Sequence, residues 1–220
     1  MKKREFVRKC FLAAGGMSIC PDILYGGTLN QVNKNNYRLA LYQEETAKGV
    51  MCNICPNECV LKEGELSDCR NRIVRKGKLY TMAYGNPCAV NLDPVEKKPL
   101  YHFMPASLTF SIATAGCNLA CLNCQNWTIS QTSPDKTRNT DLMPAGVIGN
   151  TLKYNCRSIS YTYSEPVTFY EYVFDTASLA RQSGLRNIFV SNGYINREPL
   201  LQLSEVLDAA NIDLKSFNDK

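Results

Sequence analysis

Seven of the chain's eleven cysteines fall into two tight groups: Cys52, Cys55, Cys59 and Cys69, then Cys117, Cys121 and Cys124. One histidine, His102, stands against them. This distribution constrains the fold more than any other feature, because thiols at such short intervals have metal-ligand spacing. A disulfide framework would normally be even in number and belong to a shorter secreted chain. A single histidine sets aside zinc sites built on several histidines, and histidine-centred triads with them.

The two groups differ in count, and the count bears on function. Four thiols spaced x2, x3 and x9 suggest a closed site, from which a small, loop-rich segment would gain folding energy. Zinc and a second iron–sulfur cluster both stay open for it, since thiolates serve either. The three thiols of "GCNLACLNCQNW" (Gly116–Trp127) are spaced x3 and x2. On a four-iron cube they would leave one iron without a protein ligand, and an open coordination position is how a metal site binds and activates something. Cys88 and Cys156 are isolated and read as packing residues.

From Leu108 onward the pattern turns regular. "LTFSIATA", Ser158–Tyr163, "NIFVSN" and a fourth run opening at "IDL" read as strands. Helical patterns separate them: Leu142–Tyr154, then a segment from near Glu165 to a stop at Gly184, then one capped by Asn196 and running through Pro199 to Ala210. The alternation implies βαβ units and a parallel, right-handed sheet with helices outside. The three-cysteine loop leaves the C-terminal end of the first strand, where parallel α/β barrels place their chemistry. The expected fold class is α/β, a partial (βα) barrel preceded by a small four-cysteine metal-binding segment. Four strands cannot close a barrel, so a C-terminally incomplete chain is expected. The expected divisions are 1–36, a signal-like N-terminus and linker; 37–105, the four-cysteine segment; and 106–220, the partial barrel.

C-x3-C-x2-C after the first strand of a βα barrel resembles the signature of the radical S-adenosylmethionine (SAM) superfamily. "DPVEKKPLYHFMP" (Asp93–Pro105), "GCNLACLNCQNWTIS" and "YTYSEP" (Tyr161–Pro166) narrow the resemblance to the AmmeMemoRadiSam-system radical SAM enzymes, relatives of the pyruvate formate-lyase activating enzymes. The resemblance implies that Cys117, Cys121 and Cys124 hold a [4Fe-4S] cluster, with the SAM amino and carboxylate groups on the fourth iron. It implies that Ser164 and Glu165 serve the methionine ammonium, Asn192 of "SNG" the ribose, and Asp213 and Lys215 of "DLK" another part of the cofactor. The chemistry is coherent: an ammonium needs an acceptor, hydroxyls an amide, a carboxylate a lysine. Simpler readings stand beside each: a first-turn carboxylate for Glu165, a turn at Asn192–Gly193, and a salt bridge between Asp213 and Lys215. Asn123 occupies the position usually held by an aromatic residue against adenine, which leaves Trp127 or Tyr163 for that contact.

The implied reaction is reductive cleavage of SAM to methionine and a 5′-deoxyadenosyl radical that takes hydrogen from a substrate, with a one-electron reductant as partner. Kinship with the activases favours a protein substrate, small molecules remaining open. The competing reading is a non-enzymatic iron–sulfur or zinc protein for electron transfer or partner binding. Of the formal +5 charge, +4 lies in the first nine residues, which is no nucleic-acid footprint. No stretch approaches the ~18 apolar residues of a spanning helix. The N-terminal "MKKREFVRKCFLAAGG" reads either as a twin-arginine-like export signal or as a basic tail. A cytoplasmic location is the expectation and export the alternative.

Overall fold

Six short strands thread the loop-rich first cysteine-bearing segment. A computed structural model describes residues 37–217; the signal-like stretch and linker lie outside the described residues. β1 (Arg38–Leu39), β5 (Arg72–Arg75) and β6 (Lys78–Thr81) form one antiparallel sheet, and β2 (Gln43–Thr46), β3 (Gly49–Cys52) and β4 (Val60–Leu61) another. The strands are too brief to show a period in sequence. Their turns do the folding: Tyr42, Glu58, Arg70 and Lys76 all take the left-handed backbone, which costs a non-glycine residue energy that the surrounding pairing must offset.

β7 (Ala89–Pro94) lies before the expected boundary at residue 105 but pairs across it. It pairs antiparallel, along its whole length, with β8 (Leu108–Ala113), so "LDP" (Leu92–Pro94), a turn signal in the sequence, is strand. β8, β9 (Ser158–Tyr161), β10 (Arg186–Ser191) and β11 (Ala209–Ile212) are mutually parallel. The resulting sheet has five strands in the order β11-β10-β9-β8-β7. It is an open sheet of mixed direction with a parallel core, and no closed barrel is formed by the described residues.

Helices α1 (Trp127–Ser130), α2 (Pro144–Lys153), α3 (Tyr170–Gln182) and α4 (Arg197–Ser204) follow the strands. In α3, Tyr170, Val173, Ala177 and Ala180 recur on one stripe and are fully buried. They share one core with Val147 and Ile148 of α2 and with Phe110, Ile112, Ile159, Tyr161 and Phe189 of the sheet. Gly184, in the left-handed region at φ 75°, ends α3 where the sequence places a stop. The opposite sheet face carries Thr109, Ser111, Ser158 and Ser160, all buried, with Thr109 and Ser160 hydroxyls 2.7 Å apart.

Two helix limits differ from expectation. Pro166–Phe169 is a 3-10 turn, and α3 begins only at Tyr170. α4 stops at Ser204, because Ala209–Ala210 belong to β11. Asn196 sits at its cap position but spends its side chain on the Asn53 carbonyl, 3.0 Å away. That bond is one of several by which the N-terminal sheets dock on the parallel half. The largest is buried: Arg72 donates to both oxygens of Glu171 at 2.9 and 3.0 Å, while the Leu41 N–H also donates to Glu171. Ala40, Val50, Ile54, Leu61, Val74 and Leu79 belong to the same core as α2 and α3, so the two halves fold against one another. Among the described residues, no helix is long and apolar enough to cross a membrane.

Candidate functional site

Parallel strands all end on the same edge, and the chemistry-bearing residues follow those ends. β8 runs out through Thr114, Ala115 and Gly116 into the three-cysteine loop. Gly116 has φ 99°, and a Cβ there would stand 2.4 Å from the Cys69 carbonyl oxygen and 2.6 Å from Asn71 Oδ1. Only glycine lets the loop pass so close to the N-terminal segment. Cys117, Cys121 and Cys124 are free thiols, each partly exposed. The loop is tied down by Gly116 N–H to the Ile129 carbonyl (2.8 Å), Gln131 to the Leu119 carbonyl (3.0 Å) and Asn126 to the Tyr163 carbonyl (2.8 Å).

β9 ends at Tyr161, so Tyr163–Glu165 form the next strand-end segment. Ser164 is buried and its hydroxyl donates to the Thr114 carbonyl at 2.7 Å. Glu165 is buried too. Its Oε1 accepts from the Val167 N–H (3.1 Å) and the Ser191 hydroxyl (2.7 Å), and its Oε2 from the Asn192 N–H (2.9 Å). It therefore caps the 3-10 turn, as a first-turn carboxylate would, and also fixes the end of β10. Three donors occupy three of the roughly four lone-pair sites of a carboxylate, leaving Oε2 able to take one more. Burial pushes the Glu165 carboxyl up to about 7, against the pull of those hydrogen bonds and of Lys215.

Asn192 follows β10. Its side chain donates to Asn118 Oδ1 at 2.9 Å and accepts from the Tyr194 N–H at 2.8 Å. Asp213–Lys215 lie just past β11 rather than on it. Lys215 Nζ donates to Asp213 at 3.0 Å with both side chains more than 40% exposed, so the simple salt-bridge reading describes that contact. Lys215 is also close enough to Cys121 and Cys124 for their charges to interact, and Glu165 to Cys117. The structure thus brings Cys117, Cys121, Cys124, Ser164, Glu165, Asn192, Asp213 and Lys215 to one edge of one sheet.

The donor set suits an iron–sulfur cluster. The Leu119 N–H lies 3.4 Å from Cys117 Sγ, a contact that favours thiolate, and the three sulfurs interact electrostatically with one another. Burial otherwise raises the Cys117 thiol to about 11. As the side chains stand, no three Cys, His, Asp or Glu among the described residues form a closed metal site, so ligation would draw the thiols inward.

Of the two aromatic candidates for adenine, Trp127 opens α1 and is 64% exposed. Tyr163 is engaged elsewhere: its hydroxyl bonds Asp93, and the ammonium of Lys98 lies 4.5 Å from its ring centre. Burial would raise the Asp93 carboxyl, but bonds from Lys97, Lys98 and Tyr163 hold it well below the usual range.

The sequence model of the Radical SAM superfamily matches residues 111–220, half of the chain. The chain belongs to the radical SAM superfamily. Its match begins inside β8 and contains the cysteine trio and all three later strand-end segments. The chain is also 46% identical, over 178 residues, to the uncharacterized protein MJ0808 of Methanocaldococcus jannaschii. That similarity covers 81% of this chain and 53% of the relative, so the chain spans about half the length of the curated relative it matches.

Asn118 is the site residue that sequence reasoning missed. Its Nδ2 donates to the Tyr194 carbonyl at 2.8 Å and its Oδ1 holds Asn192, so one side chain ties the cysteine loop to the end of β10. Its position beside Cys117 and its burial are the signals; the second is invisible in sequence. The cavity lined by Cys52, Cys55, Cys59 and Cys69 also includes Arg72, Val167 and Thr168, which no spacing argument could supply.

Proposed function

We propose that this superfamily domain is a radical SAM enzyme, with Cys117, Cys121 and Cys124 holding a [4Fe-4S] cluster and SAM bound against it. When bound, the cluster and SAM supply one-electron reductive cleavage, giving methionine and a 5′-deoxyadenosyl radical that abstracts hydrogen from the substrate. The observation that carries the reading is the meeting of the three free thiols with Glu165, Asn192 and Lys215 at the C-terminal ends of successive parallel strands.

Each residue then has a task. The free lone pair of Glu165 Oε2 would accept an N–H of the methionine amino group, a bond that favours the charged carboxylate which burial disfavours. Ser164 holds the loop that presents it. Asn192 offers its amide to the ribose once it releases Asn118 or the Tyr194 N–H. Lys215 exchanges its exposed partner Asp213 for the SAM carboxylate, an inexpensive swap for a pair that water already screens. Trp127 is the aromatic surface free to meet adenine. The resemblance of the Asp93–Pro105, Gly116–Ser130 and Tyr161–Pro166 motifs supports the AmmeMemoRadiSam group and an activase-like action on a partner protein.

Anaerobic reconstitution with iron and sulfide, reduction, and incubation with SAM test the proposal. The wild-type chain is expected to release 5′-deoxyadenosine and Cys121→Ala to release none. A chain that takes up a cluster yet neither binds nor cleaves SAM, alone or with the residues that complete the longer relative, would return the protein to electron transfer or partner binding.

A further inference from the structure

The first cysteine group faces the second across a short bridge of hydrogen bonds. Cys52 ends β3, and its N–H donates to the Cys59 carbonyl at 3.0 Å, closing the turn that carries Cys55. Cys69 comes from the distant turn before β5, so four thiols from three segments line one cavity. Polar groups surround the sulfurs: Asn57 and Asn118 lie beside Cys55, Asp68 beside Cys59 and Asn71 beside Cys69. Ser67 Oγ lies 3.1 Å from Cys69 Sγ. Arg72, fully buried, adds a cation that interacts with Cys52 and Cys69 as well as with Glu171. Burial holds the metal-free Cys55, Cys59 and Cys69 as thiols, so a bound metal displaces their protons, and Arg72 and the Ser67 hydroxyl favour the resulting thiolates.

The metal follows from the ligand set. Cys52, Cys55, Cys59 and Cys69 line one cavity, with Cys52 and Cys69 buried, and drawn together they supply a closed set of four sulfurs. Four thiolates around one ion with no exchangeable position make a structural zinc site.

The same residues touch the proposed SAM site. Asn118, which lies beside Cys55, holds Asn192 and the Tyr194 carbonyl. Asn57 Nδ2 donates to the Asn118 carbonyl at 3.0 Å. Asn71 Nδ2 donates to Thr168 in the turn capped by Glu165, while Gly116 lies against the Cys69 carbonyl and Asn71 Oδ1. We infer that Cys52, Cys55, Cys59 and Cys69 bind one zinc ion, and that the bound ion positions the three-cysteine loop and the Glu165 turn through Asn118, Asn71 and Gly116. The zinc site stands independently of the proposed function; only the meaning of what it positions rests on that reading.

The test uses the full chain carrying Cys117→Ala, Cys121→Ala and Cys124→Ala, so that no cluster forms on the second group. Metal-free protein is titrated with Zn²⁺ against a chromophoric chelator, and with Co²⁺ for the visible bands of a tetrahedral thiolate site. Trp127, the chain's one tryptophan, sits directly after the loop and reports on it. The expected result is one Zn²⁺ per chain, with Trp127 emission and anisotropy changing at the same stoichiometry. Ser67→Ala, which removes the hydrogen bond to Cys69 and the acceptor of the Arg72 N–H, is expected to weaken Zn²⁺ binding by about 10–100-fold, and Cys59→Ser to weaken it further. If Cys59→Ser does not fold, Ser67→Ala carries the comparison. No stoichiometric binding, or iron–sulfur uptake by these four thiols in place of zinc, overturns the site. Zinc bound with Trp127 unmoved overturns the positioning. If this variant passes while the reconstituted and reduced wild-type chain cleaves no SAM, the proposed function alone is refuted.

Discussion

Glu165 offers the sharpest quantitative prediction. Its carboxyl is lifted from 4.5 to about 7 by burial. At roughly 1.4 kcal/mol per pH unit, that corresponds to about 3 kcal/mol of difference between the protonated and ionised forms in the fold. The sign follows from the direction. A raised folded value means the native state holds the proton more tightly than the unfolded chain does. The contribution to stability is therefore fully present below about 4.5 and is lost as pH rises through about 7. Replacing Glu165 with Gln removes the titration. It also sets an amide against donors that now face a carboxylate, which adds a constant offset and no slope, so the readout is the pH dependence and not the absolute stability. Urea unfolding at pH 5.5, 6.5, 7.5 and 8.5 checks it, with the cysteine trio replaced by alanine in both proteins so that iron content does not vary. Wild-type stability is expected to fall by about 2 kcal/mol more than that of Glu165→Gln across this range. Identical pH profiles would refute the account of a buried carboxyl whose charge awaits a cation. A corollary concerns the ligand: SAM binding below pH 7 should release a proton, measurable by calorimetry in buffers of different ionisation enthalpy.

Three further outcomes follow from the same geometry. Arg72→Met strands the Glu171 carboxylate, buried on α3, and should lower the unfolding free energy by about 3–5 kcal/mol; Arg72→Met with Glu171→Leu should recover much of that loss. Gly116→Ala forces a Cβ to 2.4 Å from the Cys69 carbonyl oxygen at φ 99°. It should cost about 1–3 kcal/mol from the backbone conformation alone and reduce iron retained after reconstitution, read by metal analysis. Lys215→Ala removes an exposed pair with Asp213, so unfolding should shift by less than about 0.5–1 kcal/mol, while SAM affinity, measured by calorimetry, should fall.

Local chemistry and period were legible in the sequence. The spacing of Cys117, Cys121 and Cys124, the alternation that yields β8 to β11, the periodic face of α3 and the stop at Gly184 all rest on neighbours within a few residues. The structure agrees with them closely. The short strands β1 to β6 were not legible, because two to four residues are too few to display a period and their turns rely on residues other than glycine in left-handed conformations. β7 was hidden for a related reason: "LDP" carries a turn signal, and only pairing with β8 overrides it.

The site divides along the same line. Thiol count, and the residue types at positions 164, 165, 192, 213 and 215, are properties of the sequence. Tertiary structure alone decided that Glu165 is buried and triply bonded, that Asn118 joins two strand ends, and that Cys69 and Asn71 lie against Gly116. Burial and long-range contact set these features, because desolvation and hydrogen-bond geometry depend on what the fold brings from elsewhere in the chain. A linear pattern records which donors and thiols exist; packing determines which of them face one another, and so which can share a metal or hold a charge.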